Sequence, residues 1–124
     1  MELLIGGAYQ GKREYALREY RLTANELCAC DASVEPDWQA RCLDHLELWA
    51  LGCLRRGADP AALLLAKARP DVILICEDIS AGLPPTDEEG RRWRETVGRM
   101  LTVLAARADS VTRLFCGLPQ KLKG

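Results

Sequence analysis

Two kinds of apolar pattern alternate along the chain. Short continuous runs, within ELLI at 2–5 and VILIC at 72–76, read as strands; VILIC, apolar at every position, fits a parallel strand buried on both faces. The stretches between them repeat apolar residues every three to four positions, the spacing of a helix face. The first, from Lys12 to about Tyr20, places Tyr15, Ala16 and Tyr20 together. ELCAC at 26–30 reads as a second strand and DASVEP as a loop. Pro36 suits the first turn of a helix. A helix from there to about Arg56, stopped by Gly57, gathers Trp38, Cys42, His45, Leu46, Trp49 and Cys53 on one face. Arg55 and Arg56 would then lie in its last turn, where cations favour the helix dipole. Asp59-Pro60 opens a shorter helix, AALLLAKA, ended by Pro70.

After VILIC comes the loop EDISAGLPP. Thr86 and Glu89 have capping-box spacing for a helix with the apolar face Trp93, Val97, Met100, Leu101 and Leu104. VTRLFC at 111–116 is the last predicted strand, followed by GLPQKLKG. Alternating strands and helices predict a single α/β domain over residues 1–124 with a mainly parallel sheet. Such sheets bind ligands at the carboxyl ends of their strands. GGAYQGK, EDISAG and GLPQKLK fall there.

Composition narrows the partners. A chain of 124 residues, 48% hydrophobic and 28% charged, has the make-up of a soluble globular domain. Its formal net charge of −1 gives no basic field, so nucleic acid is not expected as the partner. No apolar run approaches the roughly 20 residues of a membrane helix. MELLIGG lacks the basic start of a signal peptide. The expected setting is therefore cytoplasmic, without a membrane partner. Six cysteines, at 28, 30, 42, 53, 76 and 116, form no CxxC pair, and there is one histidine. Most lie in apolar surroundings such as ILIC, RLFC and ALGC, which predicts buried, reduced thiols. Cys28-Ala-Cys30 has the one spacing that could hold a soft metal or oxidise.

The candidate chemistry begins at Gly6-Gly7-Ala8-Tyr9-Gln10-Gly11-Lys12-Arg13. Gly-x-x-x-x-Gly-Lys between a strand and a helix is the arrangement of a phosphate-binding loop. Glycines turn backbone N–H groups inward around phosphate oxygens, and the helix presents its N-terminus to the negative charge. The lysine reaches the outer phosphates. Without a ligand the same stretch is a glycine-rich turn. A Ser or Thr would normally follow the lysine and hold Mg²⁺, but Arg13 stands there. A guanidinium repels a metal ion and binds phosphate bidentately, so weaker metal dependence is expected. Glu77, at the end of VILIC, could hold Mg²⁺ or accept a proton, and Asp78 beside it could do the same. His45 reads as a packed histidine at a core edge, or as a nucleophile or substrate contact. Arg91, Arg92, Arg94 and Arg99 read first as a solvated helix face, and Trp38, Trp49 and Trp93 as core.

These stretches together resemble the bifunctional adenosylcobinamide kinase / adenosylcobinamide-phosphate guanylyltransferase family. That family opens with a strand and a GGxxxGKS-type loop, here Ile5 to Arg13. Its later pattern is a strand, an asparagine-glutamate-valine-glycine-type loop with a valine-proline, and an arginine-rich helix with a Gly-Arg step. CEDISAGLPP, RRWRETVGRMLTVLAARADSVTRLFCG and the end KLK follow it in order and spacing. The likeness covers about residues 1–20 and 71–124. It implies a P-loop NTPase-like three-layer fold, ATP or GTP as cofactor with Mg²⁺, a cobinamide-like substrate and a homo-oligomer. It implies phosphorylation of an aminopropanol hydroxyl, and guanylyl transfer through a guanylyl-histidine. Residues 6–13 would bind phosphates, Glu77 would take the acidic strand-end position, and Arg94 and Arg99 would match helix arginines. The chain departs from the pattern at Arg13, at Cys76 in place of asparagine, at Ile79 and Ala81 in place of glycines, and at Leu101-Thr102 in place of an asparagine-glutamine pair. The segment bearing the family's histidine is largely missing, which leaves His45 as the available substitute.

Overall fold

The apolar runs become strands and the periodic stretches become helices, with one large exception in the middle. The computed structural model describes residues 1–79 and 86–124. In chain order the elements are β1 (Glu2–Gly6), α1 (Lys12–Glu19), β2 (Leu27–Ala29), β3 (Cys42–Asp44), α2 (Leu46–Arg55), α3 (Pro60–Lys67), β4 (Ile73–Glu77), α4 (Glu88–Arg107), β5 (Ser110–Phe115) and β6 (Leu118–Lys123). The strands form one sheet in the order β2-β3-β4-β1-β5-β6. The first five run parallel and β6 returns antiparallel along β5.

Alternation along the strands sends side chains to two cores. Leu3, Leu43, Leu74, Cys76 and Val111 meet Trp49, Leu64, Val97, Met100 and Leu104 from α2, α3 and α4. Leu4, Cys42, Ile73, Ile75 and Leu114 meet Tyr15 and Ala16 from α1. The result is the three-layer α/β arrangement predicted for the chain. Each fully buried Leu, Ile or Phe-sized side chain contributes about 1.5–3 kcal/mol, so the two cores together hold the sheet in its layers.

The predicted helix from Pro36 to Arg56 does not form as one element. Residues 42–44 are instead the inner strand β3, buried at every position, and the helix begins only at Leu46. His45 marks the break. It is not on the apolar face of a helix; it adopts a left-handed backbone, φ 57°, as the residue that caps α2. The capping box expected at Thr86 and Glu89 is also replaced. Asp87 caps α4 by accepting from Gly90 N at 2.6 Å, while Glu89 pairs with Arg55 at 2.9 Å. The stretch GLPQKLK, to which the sequence pattern assigns no element, forms strand β6, joined to β5 through Cys116 and Gly117, both at positive φ. That turn exposes Cys116, against the expectation of a buried thiol, and Cys28 is half-buried. The other four cysteines are buried, and all six are free thiols. The loop EDISAGLPP lies for the most part outside the described residues.

One surface carboxylate ties the sheet edge together. Glu26 accepts from Thr23 N at 3.0 Å and from Arg41 at 2.8 Å, linking the approach to β2 with that to β3. The Thr23 amide, then the Arg41 guanidinium, hold its carboxyl down to about 2. A depressed folded-state value contributes stability that is complete above the ordinary carboxyl range and is lost as pH falls from about 4.5 to about 2. Glu26→Gln should flatten that acid limb in a plot of Tm against pH; a limb unchanged in the variant would contradict the assignment.

Candidate functional site

The carboxyl ends of β1, β3 and β4 open on the same side, and the loop after β1 folds over them. Gly6 ends β1 in close contact with β5: a Cβ there would lie 2.6 Å from the carbonyl oxygen of Leu114. A glycine is needed to bring the strands that near. The chain then turns through Tyr9, φ 58°, and Gly11, φ 84°, into α1. Gly11 caps the helix without a side chain, so the first-turn N–H groups, which have no intrahelical partner, are left for an outside acceptor. The β5–β6 hairpin braces the loop. Cys116 N donates to Gln10 Oε1 at 2.5 Å, and Gly117 N donates to the Gln10 carbonyl at 3.0 Å. Lys12 Nζ donates to the Gly7 carbonyl at 2.6 Å, which keeps the ammonium over the loop.

Beneath the loop is a cleft of ≈ 430 Å³ lined by Ala8 to Glu14 together with Asp44, His45 and Glu77. The structure thus brings His45 and Glu77 together with the predicted loop residues Ala8 to Arg13. Asp44 is buried at the end of β3. Burial raises its carboxyl above the usual range, and the neighbouring His45, the His45 amide and Arg13 oppose that shift. Asp44 Oδ1 accepts from His45 N at 2.7 Å, which helps hold the left-handed turn. Glu77 is half-buried at the end of β4 and Asp78 N donates to the Gly6 carbonyl at 2.8 Å. Two residues that the sequence reading did not single out complete the site. Asp44 was hidden inside the expected helix, and Glu47 was passed over as one polar residue in an apolar helix.

Arg94 and Arg99 do not line this cleft. Both lie on α4, and Arg99 pairs with Glu95 and borders a separate cavity with Asp59 and Met100. Thr102, in the place of a family amide, bonds its own helix at Gly98 O. Cys28 and Cys30 form no metal site: among the described residues no group of three or more His, Cys, Asp or Glu side chains is arranged to hold an ion.

The residues fit a polyphosphate better than a metal ion. A glycine loop, an open helix N-terminus and two adjacent cations, Lys12 and Arg13, suit phosphate oxygens. Ordinary loop-held Mg²⁺ is a poor fit, because a guanidinium replaces the hydroxyl ligand and its charge acts on Asp44, one of the three cleft carboxylates with Glu14 and Glu77.

The sequence profile of the family described as cobinamide kinase / cobinamide phosphate guanyltransferase matches residues 53–122, more than half of the 124 residues. The chain belongs to this family. The match is continuous through α3, so the cobinamide kinase / guanyltransferase pattern extends further toward the middle than the resemblance at 71–124 implied. It includes Glu77, Arg94 and Arg99 and begins after the glycine loop and His45. A curated relative, the bifunctional adenosylcobalamin biosynthesis protein CobP of Pseudomonas aeruginosa, is 32% identical over 113 residues, 82% of this chain. The chain spans 65% of that relative's length. Among the described residues no helix is long and apolar enough to cross a membrane.

Proposed function

We propose that this chain binds a purine nucleoside triphosphate, ATP or GTP, with its phosphates on residues 6–13, and transfers a phosphoryl group to the hydroxyl of a cobinamide-like alcohol. One observation carries the reading: Lys12, Arg13, Asp44, His45 and Glu77 converge on a single cleft at the carboxyl ends of β1, β3 and β4. Lys12 and Arg13 neutralise the charge that spreads over the phosphoryl oxygens. His45 and Glu77 line the same cleft and serve as acceptors for the proton of the attacking hydroxyl. Guanylyl transfer, the other activity in the family's description, would use His45 as its acceptor. Arg94 and Arg99 are assigned to a part of the substrate distant from the phosphates. Exposed Phe115, Leu118 and Leu122 on the β5–β6 hairpin support the homo-oligomer that the resemblance implies.

Arg13 favours a second reading, in which the nucleotide is held by fixed cations without turnover. Titration calorimetry with GTP and ATP, with and without Mg²⁺, separates the two when combined with an assay for phosphorylated adenosylcobinamide. The parent chain should bind with nearly the same affinity in both conditions. Arg13→Ser loses a charge-assisted contact, about 1.5–3 kcal/mol, and so binds roughly tenfold or more weakly without Mg²⁺, with affinity recovered when the ion is added. Product formation by the parent supports transfer; tight binding without product supports the second reading. Absence of binding in both conditions would overturn the nucleotide assignment.

A further inference from the structure

Glu47 lies in the first turn of α2, a carboxylate only 3% exposed. Both of its oxygens are engaged. Oε1 accepts from Glu77 N at 2.9 Å, and Oε2 is 3.1 Å from His45 Nδ1. Its backbone carbonyl accepts from Trp93 Nε1 at 2.7 Å, which fixes the residue against α4. A buried carboxylate is costly unless its bonds compensate, and an apolar side chain would fill the space without that cost. What a carboxylate adds is direction. It can only accept, so the hydrogen on the shared bond belongs to His45 Nδ1.

That assignment leaves Nε2 as the reactive nitrogen. The His45 side chain is 49% exposed and lines the glycine-loop cleft. Asp44 Oδ2 is 3.8 Å from Nε2, too far for a hydrogen bond. The two carboxylates beside the ring therefore act unequally: Glu47 holds one nitrogen, and Asp44 leaves the other free. Lys12, Arg13, Glu14 and Glu77 are the other charged groups that line the cleft.

We propose that Glu47 is a positioning residue that fixes His45 with its proton on Nδ1 and turns Nε2 toward the bound nucleotide as proton acceptor for the attacking hydroxyl. By holding the Glu77 amide, the same carboxylate sets the end of β4 beside it. This rests on the cleft being the transfer site. In the step, the alcohol O–H gives its proton to Nε2 while its oxygen bonds to the γ-phosphorus. The bond from that phosphorus to the bridging oxygen breaks, its electron pair leaves with the nucleoside diphosphate, and the imidazolium rests between Glu47 and Asp44 until it releases the proton to solvent.

The test exploits the single histidine, which gives one unambiguous ring in ¹⁵N-resolved spectra of the full chain. The sample is taken to alkaline pH until the ring nitrogen shifts stop changing. The parent should show the Nδ1–H tautomer. In Glu47→Gln the amide oxygen must still face the Glu77 N–H, so the NH₂ group faces His45 and donates to Nδ1. The ring then switches to the Nε2–H tautomer with little change in shape. A parent ring in the Nε2–H form, or evenly mixed, would overturn the proposal, as would a Glu47→Gln ring that stays Nδ1–H. The parent measurement needs no variant to fold. Phosphoryl transfer by Glu47→Gln should fall about 10²- to 10⁴-fold in kcat, with nucleotide affinity kept within about threefold. Loss of affinity equal to the loss in kcat would point to collapse of the site and overturn the positioning role. If the parent binds no nucleotide, the functional reading fails, and the tautomer result still decides what Glu47 does.

Discussion

Lys12→Ala is expected to weaken nucleoside triphosphate binding roughly 10- to 100-fold, the worth of one charge-assisted contact to phosphate. The fold should survive. Among the described residues Lys12 makes one hydrogen bond, to the Gly7 carbonyl, and the loop's shape depends instead on Gly11 and on the Gln10 contacts to Cys116 and Gly117. Calorimetry should therefore report lost affinity while thermal unfolding shifts by only a few degrees. A variant that binds as tightly as the parent would remove residues 6–13 from the nucleotide site.

Gly52→Ala carries the largest expected effect on stability. Gly52 is buried in α2, where a Cβ would lie 2.2 Å from the Ala32 carbonyl oxygen and 2.9 Å from its carbonyl carbon. These are backbone atoms and cannot rotate away. The loop bearing Ala32 is stiffened by Asp31 Oδ1, which accepts from Ser33 N at 2.7 Å and Val34 N at 3.0 Å. Alanine would otherwise favour a helix by about 1 kcal/mol. Overpacking against a fixed backbone, typically about 1–3 kcal/mol, outweighs that gain, so the net loss should be about 1–2 kcal/mol, roughly a 4–8 °C fall in Tm for a domain of this size. Gly98→Ala on α4, where no atom lies within 4 Å of the added carbon, is the matched control and should be neutral or stabilising. Equal Tm changes in the two variants would show that the contact with Ala32 is unimportant.

The ends of the chain were legible and the middle was not. VILIC and ELLI could be recognised because continuous apolar runs next to a glycine or a loop have few other uses. The stretch RCLDHLELWALGC contains both β3 and the start of α2, with apolar residues dense enough to satisfy a helix face throughout. What separates the two elements is the backbone of His45, and a left-handed histidine has no marker in sequence. A three-residue strand also leaves too little alternation to detect. Losing β3 concealed Asp44, and losing the start of α2 concealed the partnership of His45 with Glu47. The hairpin was missed for another reason. LPQKLK is polar and contains Pro119, as suits an exposed edge strand, and received no element although Cys116-Gly117 between two such stretches is a possible two-residue turn. The family pattern in residues 71–124 was readable, since it rests on residue types and not on backbone angles.

The hairpin tip that rests on Gln10 has a consequence for affinity. A glycine-rich loop free in solution samples many shapes, and ordering each of its residues on a ligand costs about 1–2 kcal/mol of backbone entropy. Here two amides at the far edge of the sheet restrict those shapes before any ligand arrives. Much of the entropic cost of ordering the loop is thereby met during folding, and more of the interaction with phosphate remains as net affinity.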